Sequence, residues 1–379
     1  MTILEATGVA SGASGKAGGL LALWAYPSNI VPLSYRLHAE LAVEHNGPKR
    51  WGYRKIHCGS LSAKGQPLAA ASNEDAKLPK DEWAKLPKRD ESAMSRLRAA
   101  GVPKDLNWFI PEAITGYSEM GDPNTTAQVH PYQFTTSMAE LAQEKGAKVI
   151  LGAVKSMDYS GNQINSVTYE DKASKEMQTI AATDVIVSAG PWTSHILPEA
   201  PIDAIRAHSV TIKADVTPYA IFSEISLPAN FRDTNDSPKA QSRRKRHGNV
   251  VSPEIYARPN GEVYACGEGD SLIPLPASSD LVQCDTSRCD DIVAYVSSIS
   301  HELRDGEVLV KQACYLPSVS GANGPLIGPT GITGVYLAAG HTCWGIQNSC
   351  ATGKIMSEFL FDGKAISANV ASLDPRRVL

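Results

Sequence analysis

The sequence predicts an α/β core, α+β overall, interrupted by an inserted, mainly antiparallel β-sheet, and three observations predict it. Residues 130–146 (HPYQFTTSMAELAQEKG) place Phe134, Met138, Leu141 and Ala142 at helical spacing, close on a glycine, and run straight into the continuous apolar stretch 148–154. The closing segment repeats this logic: 334–339 (GVYLAA) reads as a buried strand, Gly340-His341 as a turn, and Ile346, Cys350, Met356, Phe359 and Leu360 as one helix face. Between them, 254–258, 261–267 and 307–315 alternate with period two, as the strands of an antiparallel sheet do.

Taken in order, residues 1–6 (MTILEA) read as a short strand ending at the acidic Glu5. A glycine-rich stretch, 8–19, follows and leads into a helix-compatible run. The stretches around 50–125 and 200–320 are richer in charge, proline and period-two pattern, whereas 163–171 alternates and 184–189 is a strand ending at Gly190-Pro191-Trp192. These features assign 1–50, 126–200 and 320–379 to one discontinuous α/β domain, and 51–125 and 201–319 to the insert. Parallel sheets are built from strand, helix, strand units, so a strand at the first residues predicts a missing unit upstream.

The 379 residues suffice for about two to three folding units. With 36 basic against 40 acidic side chains, a net charge of −4 argues against nucleic acid as a partner. The seven cysteines, at 58, 266, 284, 289, 314, 343 and 350, are odd in number and include no CxxC pair. No metal site is expected, and a reducing, cytoplasmic setting is. The small and apolar run 17–26 is shorter than the roughly 20 residues a membrane helix needs, so no membrane span is expected. The basic run 242–247 (SRRKRH) reads as a solvated loop, with nuclear import or an anionic surface as its other reading.

A carboxylate at the end of a strand can accept hydrogen bonds from both hydroxyls of an adenosine ribose, and Glu5 stands at such a place. Residues 10–19 (ASGASGKAGG) supply small side chains and bare amides, able to approach a pyrophosphate or a flat ring; a flexible turn has the same composition. A P-loop is excluded, because Gly15-Lys16 is followed by Ala17. Residues 266–272 (CGEGDSL) lack the third glycine of a dinucleotide fingerprint and run into Pro274 and Pro276.

The combination of 3–6 (ILEA), 13–19 (ASGKAGG), 188–192 (SAGPW), 338–341 (AAGH) and 344–346 (WGI) resembles the D-amino-acid oxidase-like (DAO) FAD-dependent oxidoreductases, among them glycine and sarcosine oxidase. Residues 126–134 (TAQVHPYQF) are similar to the fungal branch of that family. The resemblance implies a Rossmann-like FAD-binding domain, here lacking its first βα unit and GxGxxG turn, and a substrate domain made by the inserted sheet. It implies that Glu5 holds the ribose, that Ala13, Ser14, Gly15, Gly18 and Gly19 line the pyrophosphate and flavin, and that the Val154 backbone meets the adenine. Ala189 and Gly190 would pass beside the dinucleotide, and Gly340, Trp344, Gly345 and Ile346 would lie against the isoalloxazine ring. Cys314 resembles a cysteine that attaches flavin covalently in some relatives, a small buried hydrophobe being its other reading. His341 is either a proton carrier or a brace for the turn.

The arginine that binds the substrate carboxylate in glycine-oxidase relatives is matched here by Cys343, which cannot form a bidentate pair. Tyr256, Arg258, Cys343 and Trp344 are the expected walls of the substrate pocket, Arg258 either replacing that arginine or lying on the surface. The implied activity is FAD-dependent oxidation of a C–N bond in a small amine or amino-acid-like substrate, with molecular oxygen as a candidate acceptor. The missing first unit predicts an incomplete translation of a longer gene, the alternative being a flavin-poor pseudoenzyme acting through protein interaction.

Overall fold

A computed structural model describes residues 1–68, 91–229, 231, 249–321 and 324–379; the basic run 242–247 lies outside them. The strand Thr2–Glu5 pairs in parallel with Lys148–Ser160, which continues antiparallel to Gln163–Asp171 and then Met177–Ala181. A three-stranded sheet joins Val185–Val187 in parallel to Val335–Ala339, itself antiparallel to Leu326–Pro329. A further small sheet holds Leu20–Ala22 and Arg54–Lys55 on either side of Thr126–Gln128.

The largest sheet runs Glu307–Val319, Ile202–Lys213, Glu262–Asp270, Glu254–Arg258, Tyr219–Ser226, His57–Lys64 and Ile114–Gly121, with Val250–Val251 alongside Tyr219–Ser226. Alternation divides its residues between two faces. Val210, Ile212, Ile221, Ile255, Val263 and Ala265 enter one core with Trp108, Phe109 and the helix Thr286–Ser297, whose Asp285 cap accepts from the Ser287 amide at 3.0 Å. Their sequence neighbours Ala220, Phe222, Tyr256, Tyr264 and Cys266 join a second cluster with Leu20, Ala22 and Trp344. The candidate site lies on this second face.

The run beyond Gly19 is a strand, not the helix its composition allows. Leu20, Leu21 and Ala22 are all buried, as suits a short strand covered on both faces, and the next helix, Val31–Glu44, begins with proline in its first turn. The helix Pro131–Glu144 ends beside Gly146, whose φ of +90° is the left-handed value a terminating glycine accepts. The helix Gly345–Asp362 stops likewise at Gly363. Among the described residues, no helix is long and apolar enough to cross a membrane.

Candidate active site

Glu5 closes its strand with one carboxylate oxygen occupied. Oε1 accepts from the Thr7 and Gly8 amides at 3.0 and 3.4 Å, while Oε2 makes no hydrogen bond with the described residues. The Thr7 and Ser11 hydroxyls meet Ser279 at 2.5 and 2.8 Å, and the Trp192 indole donates to the Pro276 carbonyl at 2.6 Å. These bonds bring the Glu5 turn, the glycine loop and the Gly190–Trp192 turn under one segment of the insert. Gly190 has a φ of +54°, with open space where a side chain would begin, and Ala189 precedes it as the cap of that turn. Val154 flanks a break in strand register between Val154 and Ser156.

The 13–19 loop includes a short helix, Ala13–Lys16, held by the protein on several sides. The Thr135 hydroxyl donates to the Ser14 carbonyl at 3.2 Å, and the Lys16 ammonium to the Ala313 carbonyl at 3.0 Å. A Cβ on Gly15 would lie 1.9 Å from the Ala10 carbonyl oxygen, and one on Gly19 2.0 Å from that of Val129. On Gly18 it would meet two ring carbons of Tyr256 at 2.1 Å. The glycines at 15, 18 and 19 thus permit the loop to press on this chain's own backbone and rings.

Arg258 is buried rather than superficial. Its guanidinium donates to Glu262 at 2.5 Å and to the Ala17 carbonyl, and lies 4.8 Å from the centre of the Tyr264 ring. Both terminal nitrogens are thereby engaged within the protein. Cys314 is buried on the strand Glu307–Val319; burial pushes its thiol up to about 11, against the pull of the Lys16 ammonium.

In the 340–346 turn, Gly340 adopts a φ of +85° where a Cβ would strike Val319 at 2.4 Å. The His341 Nε2 lies 2.9 Å from the Thr352 hydroxyl, and burial lowers this imidazole to about 4, so it is neutral at neutral pH and braces the turn against the following helix. Cys343 reaches the surface while its thiol is crowded by protein; that crowding, with the Glu254 carboxylate adding to it, pushes the thiol upward. The Trp344 indole nitrogen is buried without a partner among the described residues. Gly345 opens the 18-residue helix, and Ile346 packs with Leu21, Ala127 and Phe134.

Around that turn runs an unbroken series of aromatic contacts. Tyr26 meets Trp344 at 5.7 Å between ring centres, Trp344 meets Trp24 at 5.6 Å, Trp24 meets Phe222 at 5.9 Å, Phe222 meets Tyr256 at 6.0 Å, and Tyr256 stacks with Tyr264 at 5.9 Å. The Tyr256 hydroxyl donates to the Glu254 carboxylate, and the Cys266 thiol lies 3.8 Å from the same oxygen. Burial pushes Glu254 above the usual carboxylate range, against these two hydrogen bonds. The sequence reading singled out Tyr256 and Trp344 but passed over Glu254, Trp24, Tyr26 and Phe222. The signal for Glu254 was present, since a residue two before Tyr256 on an alternating strand shares its face. The aromatic residues at 24 and 26 lie in an apolar run that carries no periodicity.

The model of the family described as DAO, FAD dependent oxidoreductase, matches residues 1–359. The chain belongs to this family. "Putative oxidoreductase TDA3" of Saccharomyces cerevisiae is 35% identical over 481 residues, covering 99% of this chain and 88% of that protein. "Putative oxidoreductase C1F5.03c" of Schizosaccharomyces pombe is 33% identical over 396 residues, covering 99% and 90%. Among solved structures, glycine oxidase from Bacillus cereus superposes with a TM-score of 0.66 at 18% identity, covering 100% of this chain and 92% of that one. L-proline dehydrogenase from P. horikoshii gives 0.66 at 17%, covering 99% and 91%. These superpositions establish the mixed α/β fold of the FAD-dependent oxidoreductases for this chain.

Proposed function

We propose that this member of the DAO family binds FAD and oxidises a C–N bond of a small amine or amino-acid-like molecule, with molecular oxygen as an electron acceptor. The carrying observation is that the 13–19 loop, the Gly190–Trp192 turn and the 340–346 turn all meet the strand Glu307–Val319, with the turn after Glu5 tied to the glycine loop through Thr7, Ser11 and Ser279, within a family match that spans 1–359. Three features fit the cofactor: the Oε2 of Glu5 and the Trp344 indole nitrogen beside a helix N-terminus, both without a hydrogen-bond partner among the described residues, and the open space at Gly190.

On this reading Glu5 holds the ribose, and Ala13, Ser14, Gly15, Gly18 and Gly19 shape the wall along the diphosphate and ring. The Val154 backbone meets the adenine, Ala189 and Gly190 pass the dinucleotide, and Gly340, Trp344, Gly345 and Ile346 face the ring system, with Cys314 a candidate attachment point. When bound, the flavin supplies the two-electron acceptor that takes hydride from a carbon next to nitrogen. The protein's part is to orient the amine and exclude water. The aromatic series from Tyr26 to Tyr256 supplies an apolar wall for that purpose. Arg258 positions the loop through Ala17 and leans on Tyr264, while neutral His341 fixes the turn.

The visible absorption spectrum of the purified protein, repeated after acid precipitation, tests this reading. A flavin spectrum supports it, and colour retained in the pellet shows covalent attachment, pointing to Cys314, which loss of that colour in Cys314→Ala would test. A colourless, folded protein that takes up no added FAD refutes it.

A further inference from the structure

Two thiols meet at the start of the helix Thr286–Ser297. Asp285 is its cap, so Cys284 stands just outside the helix and Cys289 four residues beyond the cap, the two places at which apolar side chains commonly close over a helix entrance. Their sulfurs lie 3.6 Å apart. Two aliphatic side chains at these places can only pack, whereas two thiols can also become a covalent bond. The approach still required is about 1.6 Å, since bonded sulfurs stand about 2.0 Å apart. Cys284 can supply it, because the segment 282–285 that carries it belongs to no helix or strand.

The two sulfurs are placed unequally. Cys289 is completely buried in the core shared by the helix and the large sheet, where the Ser209 and Gln312 carbonyls accept its S–H at 3.8 and 3.9 Å. Burial, with the Cys284 sulfur adding to it, pushes this thiol up to about 12, so it stays protonated at neutral pH. Cys284 is half-buried at the edge of the same core. In such a pair the thiol that solvent reaches meets an oxidant first, and the covered partner in contact with it closes the bond. The Lys311 ammonium, bonded to Asp290 at 2.5 Å and raised chiefly by it, is raised also by the two thiols. A cation that close favours a negative sulfur, with the Asp290 carboxylate opposing it at Cys289.

We infer that Cys284 and Cys289 are an oxidation site of this protein, at which a peroxide converts two free thiols into a reversible intrachain disulfide. Attack of the Cys284 sulfur on hydrogen peroxide breaks the O–O bond, leaves a sulfenic acid and releases one water. The Cys289 sulfur then displaces the hydroxyl of that acid, forming the S–S bond and releasing a second water. The two thiols lose two electrons and two protons, and the peroxide takes them up. The inference goes beyond the flavin reading and does not depend on it, since no step uses the proposed cofactor.

Purified full-length protein, freed of reductant, is treated with hydrogen peroxide, alkylated and digested with trypsin without reduction. Arg288 lies between the two cysteines, so cleavage there leaves them on separate fragments that stay together only when the bond exists. The expected product is a linked pair, about 2 mass units lighter than the sum of its parts, that separates on treatment with dithiothreitol. The fragment that carries Cys284 also holds Cys266, and Cys284→Ser distinguishes them, since the link should then vanish. Brief iodoacetamide labelling of the reduced protein should mark Cys284 about tenfold or more faster than Cys289. A folded protein that gives no linked pair, a link that survives Cys284→Ser, sulfinic acid at Cys284 in place of the link, or Cys289 labelled first would each overturn the inference. Should Cys284→Ser fail to fold, fragmentation of the linked pair from the unaltered protein locates the bond at Cys284, as expected, or at Cys266, which refutes it.

Discussion

Replacing Gly18 with alanine separates two reasons for a glycine at that place, because the direction in which its missing side chain would grow is fixed. The new Cβ would stand 2.1 Å from Cδ2 and Cε2 of Tyr256 and 3.2 Å from Tyr264, whereas carbon atoms in contact settle at about 3.5–4.0 Å. The Tyr256 ring must therefore retreat by about 1.4 Å or more. It has little freedom to do so, being stacked on Tyr264, in edge contact with Phe222 and tied through its hydroxyl to Glu254. Overpacking of this kind costs about 1–3 kcal/mol, and the restraints on the ring place Gly18→Ala toward the upper end. With an unfolding entropy of about 2.1 cal/mol/K per residue, a chain of this length loses roughly 1 to 4 °C in Tm. Scanning calorimetry on Gly18→Ala, Tyr256→Leu and the double variant measures it. The double variant should recover at least about 1 kcal/mol relative to the sum of the single changes, since the smaller side chain vacates the contested space. A Gly18→Ala protein within about 0.5 kcal/mol of the parent, additive with Tyr256→Leu, would show that the ring does not require this glycine and refute the packing account.

Further changes test other parts of the molecule. Glu5→Ala should lower the flavin retained after gel filtration in FAD-loaded protein, and unchanged flavin content would remove Glu5 from the cofactor site. Asp270→Asn strips the carboxylate from buried Arg206, which it meets at 3.0 Å, and from neighbouring Arg288 and His208; a loss of about 3–5 kcal/mol, roughly 4 to 6 °C in Tm, is expected, and a change below about 1 kcal/mol would contradict it. Glu358 is pushed up by burial but held down to about 2 by Ser367, the Ile366 amide and Lys354. Its folded value lies below its ordinary 4.5, so its contribution to stability is complete above that pH and fades as the pH falls toward about 2. Glu358→Gln should lower Tm at neutral pH and flatten the decline of Tm between pH 4.5 and 2, and an unaltered acid profile would exclude this role.

The parts of the fold legible in the sequence are those where one periodicity rules. The helix at 130–146 and the strand at 163–171 announce themselves because each buries one face, so burial and sequence share a period. Leu20–Ala22 does not, since a strand covered on both sides leaves no polar face to mark it. At the candidate site, the glycine loop and the 340–346 turn are readable as small residues beside a strand or helix. What the sequence could not disclose is which surface each glycine serves: Gly15 and Gly19 approach backbone carbonyls, and Gly18 approaches a ring some 240 positions away in the chain. Arg258 shows the same limit. A charged residue on a sheet is ordinarily exposed, and only the fold supplies the Ala17 carbonyl and Glu262 that bury it.

The contacts from Tyr256 to Gly18 and from Arg258 to Ala17 make one strand of the insert the backing of the glycine loop. A ligand that settles against Tyr256 therefore leans on the same ring that sets the position of the loop, and whatever binds the loop leans back. Communication between two occupants across such a shared wall is reciprocal: the factor by which the first alters the affinity of the second is the factor by which the second alters the first. Two ligands placed on the two sides of this wall need not touch to sense one another, because a single tyrosine ring and a single guanidinium join the strand to the loop.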